Sequence, residues 1–294
     1  MKTPLRTAAR ILACVSVLAF PGLAQSAQGI TNVDIKLVIA TDVSRSISQE
    51  EAQLQREGTA EAFQSDEVVR AIQSGALGRI AVAMIDFSSP EYGRVVLDWN
   101  IINNKATAQA FADKIRNSPR TPGRRTSISS ALEMGALLIQ GSEGQIQATR
   151  RVIDVSGDGP NNDGNRMQEA HDKTVEQGIV VNGLPIMDDN ANGYYPDLDK
   201  YYAGCVVGGR GSFVVVVRSF KDFGAAMRHK LILEVSSDES QIRETLAGMQ
   251  GGALLQKTAL PLPPNPNRGP DVIRPTQNEY SKNCDRNGFG FGGF

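Results

Sequence analysis

The sequence predicts an α/β domain with a doubly wound, mostly parallel sheet, helices on both faces of the sheet and one antiparallel hairpin at its edge. Short apolar runs rich in β-branched residues alternate along the chain with longer segments of helical periodicity, as expected of a parallel sheet with helical crossovers. The stretch 35–46 starts as a buried strand and ends abruptly in an acidic, hydroxyl-rich turn. The link at residues 90–93 is short enough to join two strands as a hairpin.

The other elements follow in order from this first strand. Ser48 and Glu51 form a capping box that opens a helix, which runs to about residue 74 with a break near residues 65–66. The other apolar runs are predicted strands, at residues 79–88, 93–99, 151–156, 179–187 and 211–217. The other periodic segments are predicted helices, at residues 107–117, 128–140 and 220–235, with a further helix that follows the polar turn 161–164 and ends near residue 178.

The first 24 residues have the pattern of a secretory signal peptide. Three basic residues precede the apolar run 11–20, and a turn with small residues follows it. We expect cleavage after Ala24, with Ala27 as the second choice. The apolar run is too short to span a bilayer, so we expect no stable membrane anchor. The prediction is an exported protein, either periplasmic or secreted.

The mature chain then divides into a domain at residues 25–236 and a tail at residues 237–294. The tail is rich in proline and glycine, and we expect it to be extended and largely disordered. Of the three cysteines, Cys205 and Cys284 remain after loss of the signal peptide. In an oxidising compartment they could form a disulfide that pins the tail to the domain, or they could stay as unpaired thiols.

Charge excludes two classes of partner. The formal net charge is −1, and loss of the three cations in residues 1–24 makes it −4. Because the domain has no basic excess, we expect it to bind neither nucleic acid nor an anionic membrane.

Oxygen-bearing side chains follow the predicted strands in three separate loops. Asp42, Ser44 and Ser46 end the first strand, Thr126 lies in a loop before a helix, and Asp158 follows the strand at residues 151–156. Ligands of open α/β sheets bind at the carboxyl ends of strands. The carboxylate and hydroxyl oxygens of Asp42, Ser44 and Ser46 form an all-oxygen set, which suits a hard cation such as Mg²⁺.

The same five positions carry a resemblance to a known family. The spacing D-x-S-x-S, followed by a threonine before a helix and an aspartate with glycine after the fourth strand, resembles the metal-ion-dependent adhesion site of von Willebrand factor type A domains. The match covers residues 33–235. The stretches 152–164, 181–186 and 205–209 resemble a bacterial, exported branch of that superfamily without known function.

The resemblance implies a Rossmann-like fold in which some ligands coordinate the ion directly and others through water. Ser44 and Ser46 would coordinate the ion directly, Thr126 directly or through water, and Asp42 and Asp158 partly through water. One coordination position would stay open for an Asp or Glu carboxylate of a protein partner. The two carboxylates leave a divalent ion near neutrality, so an acidic ligand would still be attracted.

Three arginines depart from the family pattern. Arg45 replaces the small residue often found between the two serines, and Arg124 and Arg125 precede Thr126 where glycine is usual. These cations could repel a metal ion or help to hold an acidic ligand, and we favour the second interpretation.

A second metal site is conceivable at residues 188–199. Asp188, Asn190, Asn192 and Asp199 have the spacing of a calcium loop, with a glycine at the bend. Against Ca²⁺ stand the short closing Asp in place of Glu, a proline within the loop and the strand that precedes it. An acidic surface loop is the favoured interpretation.

Three other titratable residues receive simpler interpretations. Asp154 either supports the metal ligands or forms a buried pair with an Arg or a hydroxyl. His171 and His229 lie on predicted helices, and we expect both at the surface.

The leading functional hypothesis is a non-enzymatic adhesion or scaffold module that captures an acidic side chain of a partner through Mg²⁺ or Mn²⁺. The alternative is a metal-dependent hydrolase that uses the same Asp, Ser and Thr loops. Aspartyl-phosphate phosphatases, however, place a second Asp where Ser44 stands, so a general acid is missing. A third hypothesis gives the function to the tail and makes the domain a carrier.

Overall fold

The structure is a computed structural model that describes residues 29–188, 195–236, 270–275, 281, 284 and 285. The predicted signal peptide, most of the predicted tail and the centre of the candidate calcium loop lie outside the described residues. No helix within the described residues is long and apolar enough to cross a membrane.

Seven strands of the described residues form one sheet in the order β3-β2-β1-β4-β5-β6-β7. Strands β1, β2, β4, β5 and β6 run parallel to one another, whereas the edge strands β3 and β7 pair antiparallel with β2 and β6. The strands are β1 Thr31–Asp42, β2 Ile80–Phe87, β3 Arg94–Ile102, β4 Ile146–Gly157, β5 Val180–Pro185, β6 Val214–Val216 and β7 Asp271–Ile273. The predicted hairpin is confirmed as the β2–β3 pair.

Helices cover both faces of this sheet, as predicted. They are α1 Gln49–Gln64, α2 Asp66–Gln73, α3 Lys105–Asn117, α4 Ile128–Gly141, α5 Met167–Glu176, α6 Leu198–Tyr201 and α7 Phe223–Val235. Two 3₁₀ turns at Pro90–Tyr92 and Phe220–Asp222 and a π-helix at Tyr202–Val206 complete the described helical segments. The segment from α6 through the π-helix was not predicted.

Alternate residues of β1 enter two separate apolar cores because successive side chains of a strand point to opposite faces. Leu37 and Ile39 belong to the core under α1, α2, α3 and α7. Val38 and Ala40 belong to the core under α4 and the π-helix. The central strand β1 is therefore buried on both faces, and packing on both faces fixes the position of its carboxyl end, where the polar turn begins.

Local capping explains where the first two helices begin and end. The Ser48 hydroxyl accepts a hydrogen bond from Glu51 N at 3.3 Å, and the Glu51 carboxylate accepts one from Ser48 N at 2.7 Å. This confirms the capping box. Ser65 interrupts the helical run, and its hydroxyl accepts a hydrogen bond from Val68 N at the start of α2. The predicted break is thus a new N-cap.

The tail contributes more structure than its composition predicts. Asp271–Ile273 forms β7, which adds an antiparallel strand to the exposed edge of β6. Cys284 forms a disulfide with Cys205 of the π-helix, with their Cα atoms 5.5 Å apart. The Asp285 carboxylate accepts a hydrogen bond from Met167 N at the first turn of α5. Where it is described, the tail is tied to the domain rather than extended from it.

Candidate metal centre

The turn after β1 places its oxygen atoms by short hydrogen bonds. Asp42 is fully buried, and its Oδ1 accepts a hydrogen bond from Ser44 N at 2.7 Å. The Ser44 and Ser46 hydroxyls lie 3.1 Å apart, and Ser46 Oγ donates to Asp158 Oδ1 at 2.8 Å. The structure therefore joins the end of β1 to the loop after β4, because these two strands are parallel neighbours in the sheet.

Thr126 is held at the same place by the loop that follows Asp158. Thr126 N donates to Asn162 Oδ1, and Asn162 N donates back to the Thr126 carbonyl, both at 2.9 Å. A Cβ atom on Gly159 would lie 3.6 Å from Thr126 Oγ1, so the hydroxyl lies against the residue next to Asp158. All five predicted ligands are thereby brought to one end of the sheet.

Two asparagines in this arrangement were not predicted as site residues. Asn162 makes the reciprocal pair with Thr126, and Asn161 Oδ1 accepts a hydrogen bond from Ser129 N in the first turn of α4. The Tyr201 hydroxyl in turn accepts a hydrogen bond from Asn161 N at 3.3 Å. The only sequence signal for these two asparagines was the polar turn after Asp158. Such a signal predicts a turn, but it does not show which residues the turn contacts.

Burial makes the Asp42 and Asp158 side chains weaker acids than usual. Desolvation, followed by the nearby Asp158 charge, raises the pKa of Asp42 well above its ordinary value. Desolvation also raises the pKa of Asp158 to about 6, although the hydrogen bond from Ser46 opposes it. The Oδ2 atoms of both residues are buried and have no hydrogen-bond partner among the described residues.

These observations fit a hard divalent cation. Buried, unpartnered carboxylate oxygens carry a free-energy cost that a bound cation would offset. The surrounding donors are all oxygen, from Ser44, Ser46 and Thr126. Among the described residues, no group of three or more His, Cys, Asp and Glu side chains lies together to offer an alternative metal site.

The three departing arginines, called the arginine rim below, lie in the two loops that carry Ser44, Ser46 and Thr126. Arg45, Arg124 and Arg125 are exposed, and Arg45 N donates to the Arg124 carbonyl at 3.2 Å, which joins the two loops that carry them. None of the three side chains makes an ion pair with a described residue. The arginine rim thus adds positive charge, unpaired among the described residues, to the loops of the metal centre.

The candidate calcium loop remains a prediction. Asn190 and Asn192 lie outside the described residues. Asp188 Oδ2 accepts a hydrogen bond from Phe220 N at 3.1 Å, and Asp199 Oδ1 accepts one from Lys200 N at 2.8 Å within α6.

Asp154 and His229 lie away from the metal centre. The Asp154 carboxylate forms a fully buried ion pair with Lys230 of α7, which resolves its two interpretations in favour of a buried pair with a cation, a lysine rather than an arginine. The expectation that His229 lies at the surface was wrong, because α7 packs against the sheet and α1 and leaves only 8% of this side chain exposed. His171 is half-buried.

Solved structures with a similar fold include two of proximal thread matrix protein 1 from the mussel byssus. Both are 19% identical to this chain with a TM-score of 0.50 and cover 70% of it, and one is described as having a zinc-occupied MIDAS motif. The chain spans about half the length of these proteins, 49% and 48%. A von Willebrand factor type A structure from Catenulispora acidiphila is 12% identical with a TM-score of 0.46, covering 68% of this chain and 42% of that one.

Comparison at the sequence level assigns the family. No curated protein matches the chain. The profile of a family described as "Protein of unknown function (DUF1194)" matches residues 32–239, which is more than half of the sequence. The chain therefore belongs to the DUF1194 family, and its fold is that of a von Willebrand factor type A domain.

Proposed function

We propose that the protein is an exported, non-enzymatic adhesion or scaffold module that captures an Asp or Glu side chain of a partner protein through a bound Mg²⁺ or Mn²⁺. The observation that carries this proposal is the pair of buried, unpartnered Oδ2 atoms on Asp42 and Asp158, brought together from two loops. A site of this kind has a deficit of positive charge that a divalent ion would fill.

Each residue of the centre has a physical role in this proposal. The ion, when bound, supplies a Lewis-acid attachment point for a carboxylate. Asp42 and Asp158 supply two negative charges, and Ser44, Ser46 and Thr126 supply neutral oxygens. The loops hold these groups together before any ion binds, because Ser46 donates to Asp158 and Asn162 pairs with Thr126. Preorganisation of this kind lowers the cost of binding.

The arginine rim supports an acidic partner. Arg45, Arg124 and Arg125 are exposed around the centre without ion-pair partners among the described residues. A carboxylate that approaches the ion would meet these guanidinium groups, which form strong charge-assisted hydrogen bonds with carboxylates. Long-range attraction of the rim would also speed the encounter.

The disulfide supports export. Cys205 and Cys284 are bridged, and such bridges persist in oxidising compartments rather than in the cytosol. The fold relative from mussel, described with zinc in its MIDAS motif, is an example of the fold with a divalent ion at that position. We extend metal binding to this chain on the strength of its own residues.

A non-enzymatic role is favoured by the chemistry of the centre. Ser44 stands where an aspartyl-phosphate phosphatase would need its general acid, and its hydroxyl is engaged with Ser46. Metal-dependent hydrolysis of a generic phosphate or ester substrate, abolished in Asp42→Ala, would contradict this part of the proposal and favour the hydrolase alternative.

The proposal is tested by a peptide array in which each peptide that contains Asp or Glu is paired with its Asn or Gln counterpart. Binding of the mature protein in Mg²⁺ or Mn²⁺ should require the acidic residue, disappear in EDTA and disappear in Asp42→Ala. Asp163→Ala is the matched control, since among the described residues the Asp163 carboxylate accepts only a local hydrogen bond, from Gly164 N. Acid-specific binding that survives EDTA would contradict the proposal.

A further inference from the structure

A buried tyrosine outside the predicted ligand set faces the candidate metal centre. Tyr202 begins the π-helix that follows α6, and its side chain is 0% exposed. Its hydroxyl is buried and has no hydrogen-bond partner among the described residues. A buried hydroxyl without a partner is destabilising, and in native proteins it calls for a specific explanation.

Two glycines make room for this side chain beside the metal centre. A Cβ atom on Gly157 would lie 2.9 Å from Asp42 Oδ2 and 3.2 Å from the Tyr202 hydroxyl. A Cβ atom on Gly183 would lie 2.6 Å from Cδ1 of the Tyr202 ring. Because both positions lack a side chain, the ring packs against β5 and its hydroxyl reaches the same small space as the free oxygen of Asp42.

The phenol complements the carboxylates chemically. Burial, followed by the charge of the nearby Asp42, raises the pKa of Tyr202 well above its ordinary value, so the phenol stays protonated at neutral pH. Two buried oxygens without partners among the described residues therefore lie close together here, Asp42 Oδ2 and the Tyr202 hydroxyl, and the Asp158 carboxylate is near enough for its charge to act on both groups. Once a cation holds the carboxylates in their ionised form, their oxygens can only accept hydrogen bonds, whereas the phenol can donate one.

We propose that Tyr202 is a positioning residue of the metal centre, whose hydroxyl donates a hydrogen bond to the Asp42 carboxylate, directly or through a bridging water, and fixes its orientation toward the ion. This inference rests on the proposed function, since it requires a bound ion. Groups that orient metal ligands from outside commonly change metal affinity by 10- to 100-fold when they are removed.

The test is the affinity of the metal-stripped protein for Mn²⁺, measured by calorimetry in wild type and Tyr202→Phe. We expect Mn²⁺ binding to weaken about 10-fold in the variant. The melting temperature of the metal-free variant should stay unchanged or rise, because without the ion the deleted hydroxyl has no hydrogen-bond partner among the described residues. A residue with only a structural role would not lower affinity while sparing metal-free stability.

Ser212→Ala is the matched control. The Ser212 hydroxyl is also buried and without a partner among the described residues, but it precedes the amino end of β6, away from the strand ends that carry the metal centre. Its removal should leave Mn²⁺ affinity unchanged. Gly183→Ala tests the role of Tyr202 in a second way. The added methyl group would displace the Tyr202 ring and should therefore also weaken Mn²⁺ binding.

The outcomes separate the two levels of the proposal. Wild-type Mn²⁺ affinity in both Tyr202→Phe and Gly183→Ala, with binding lost in Asp42→Ala, would overturn the role of Tyr202 and leave the proposed metal centre intact. Failure of the wild-type protein to bind Mn²⁺ would overturn the metal centre itself and the role of Tyr202 with it.

Discussion

Buried charges in this domain fall into two contrasting groups at the residue scale. In the core, Asp154 pairs with Lys230, and Glu234 contacts Arg150 at 3.2 Å. At the metal centre, Asp42 and Asp158 are buried to a similar degree but make no ion pair with a described residue. An unpaired buried charge is far more costly than a paired one, so the second group has a physical need for a cation that the first group lacks.

The core group has a consequence for stability as a function of pH. Burial, followed by the charge of Asp154, raises the pKa of Glu234 to about 7 from an ordinary value of 4.5. Stability from a raised carboxyl pKa is fully present below pH 4.5 and is lost as the pH rises toward 7. The free energy of unfolding of wild type, relative to Glu234→Gln, should therefore fall by on the order of 3 kcal/mol across this window.

Urea denaturation at a series of pH values measures this difference directly. Comparison with the variant is needed because His229 titrates over a nearby pH range. Burial lowers the pKa of His229 to about 4, so the stability that neutral His229 contributes is lost as the pH falls below 6.5. The His229 contribution is shared by both proteins and cancels in the difference. A difference that is flat, or that grows with rising pH, would refute the assignment to Glu234.

The residues of the metal centre differ in how far sequence could predict them. Asp42, Ser44 and Ser46 are local in sequence and end an unmistakable strand, so their spacing predicts a shared site. Asn162 and Tyr202 reach the site only through contacts between distant segments, the first with Thr126 and the second across Gly157. No local pattern encodes such contacts, and both residues were missed for that reason.

At the scale of elements, the disulfide connects two parts of the chain that are far apart in sequence. Cys205 lies in the π-helix and Cys284 lies 79 residues later, beyond the strand β7. A cross-link over a loop of this length restricts the unfolded chain strongly. We expect Cys205→Ser/Cys284→Ser to lower the free energy of unfolding by about 2–4 kcal/mol relative to the oxidised wild type.

Urea unfolding of the wild type with and without a dithiol reductant, beside the double variant, measures this effect. Reduction should destabilise the wild type by a similar amount and leave the double variant unchanged. Equal stability of the oxidised and reduced wild type would show that the bridge does not constrain the fold in solution.

Strands and helices of the domain were predicted where burial follows a simple period, and missed where it does not. The long apolar runs of β1, β2 and β4 were identified because strands buried on both faces have a continuous hydrophobic pattern. Strand β7 has three residues in a proline-rich context, and it forms because the edge of β6 offers unpaired backbone groups. That pairing depends on another part of the chain.

The position of α7 illustrates the same limit for helices. Gly224 of α7 lies against Gly58 of α1, where a Cβ on Gly58 would come within 2.7 Å of the Gly224 nitrogen. This close approach buries α7 against both the sheet and α1. His229 was therefore expected at the surface and is buried, because the sequence of a single helix does not show that a second helix covers it.

The whole molecule combines a well-packed sheet with one end where charge is left uncompensated. The parallel strands bring Asp42 and Asp158 to adjacent positions, and the loops before α4 and α5 add Thr126 and its hydrogen-bond partner Asn162. Three exposed arginines lie in the same loops. The central claim of our account is that this end binds a divalent ion. Binding to the native state alone must raise stability by mass action.

Thermal unfolding of the metal-stripped mature protein, with Mg²⁺, Mn²⁺ and Ca²⁺ titrated into wild type, Asp42→Ala and Asp163→Ala, tests this claim most directly. At an ion concentration 100 times the dissociation constant, the expected stabilisation is about 3 kcal/mol, or roughly 5–10 °C in melting temperature. Wild type and Asp163→Ala should show this dose-dependent rise with Mg²⁺ or Mn²⁺, and Asp42→Ala should lose it. No rise in the wild type, or an equal rise in Asp42→Ala, would contradict a metal centre at Asp42; an equal rise with Ca²⁺ alone would instead favour the loop 188–199.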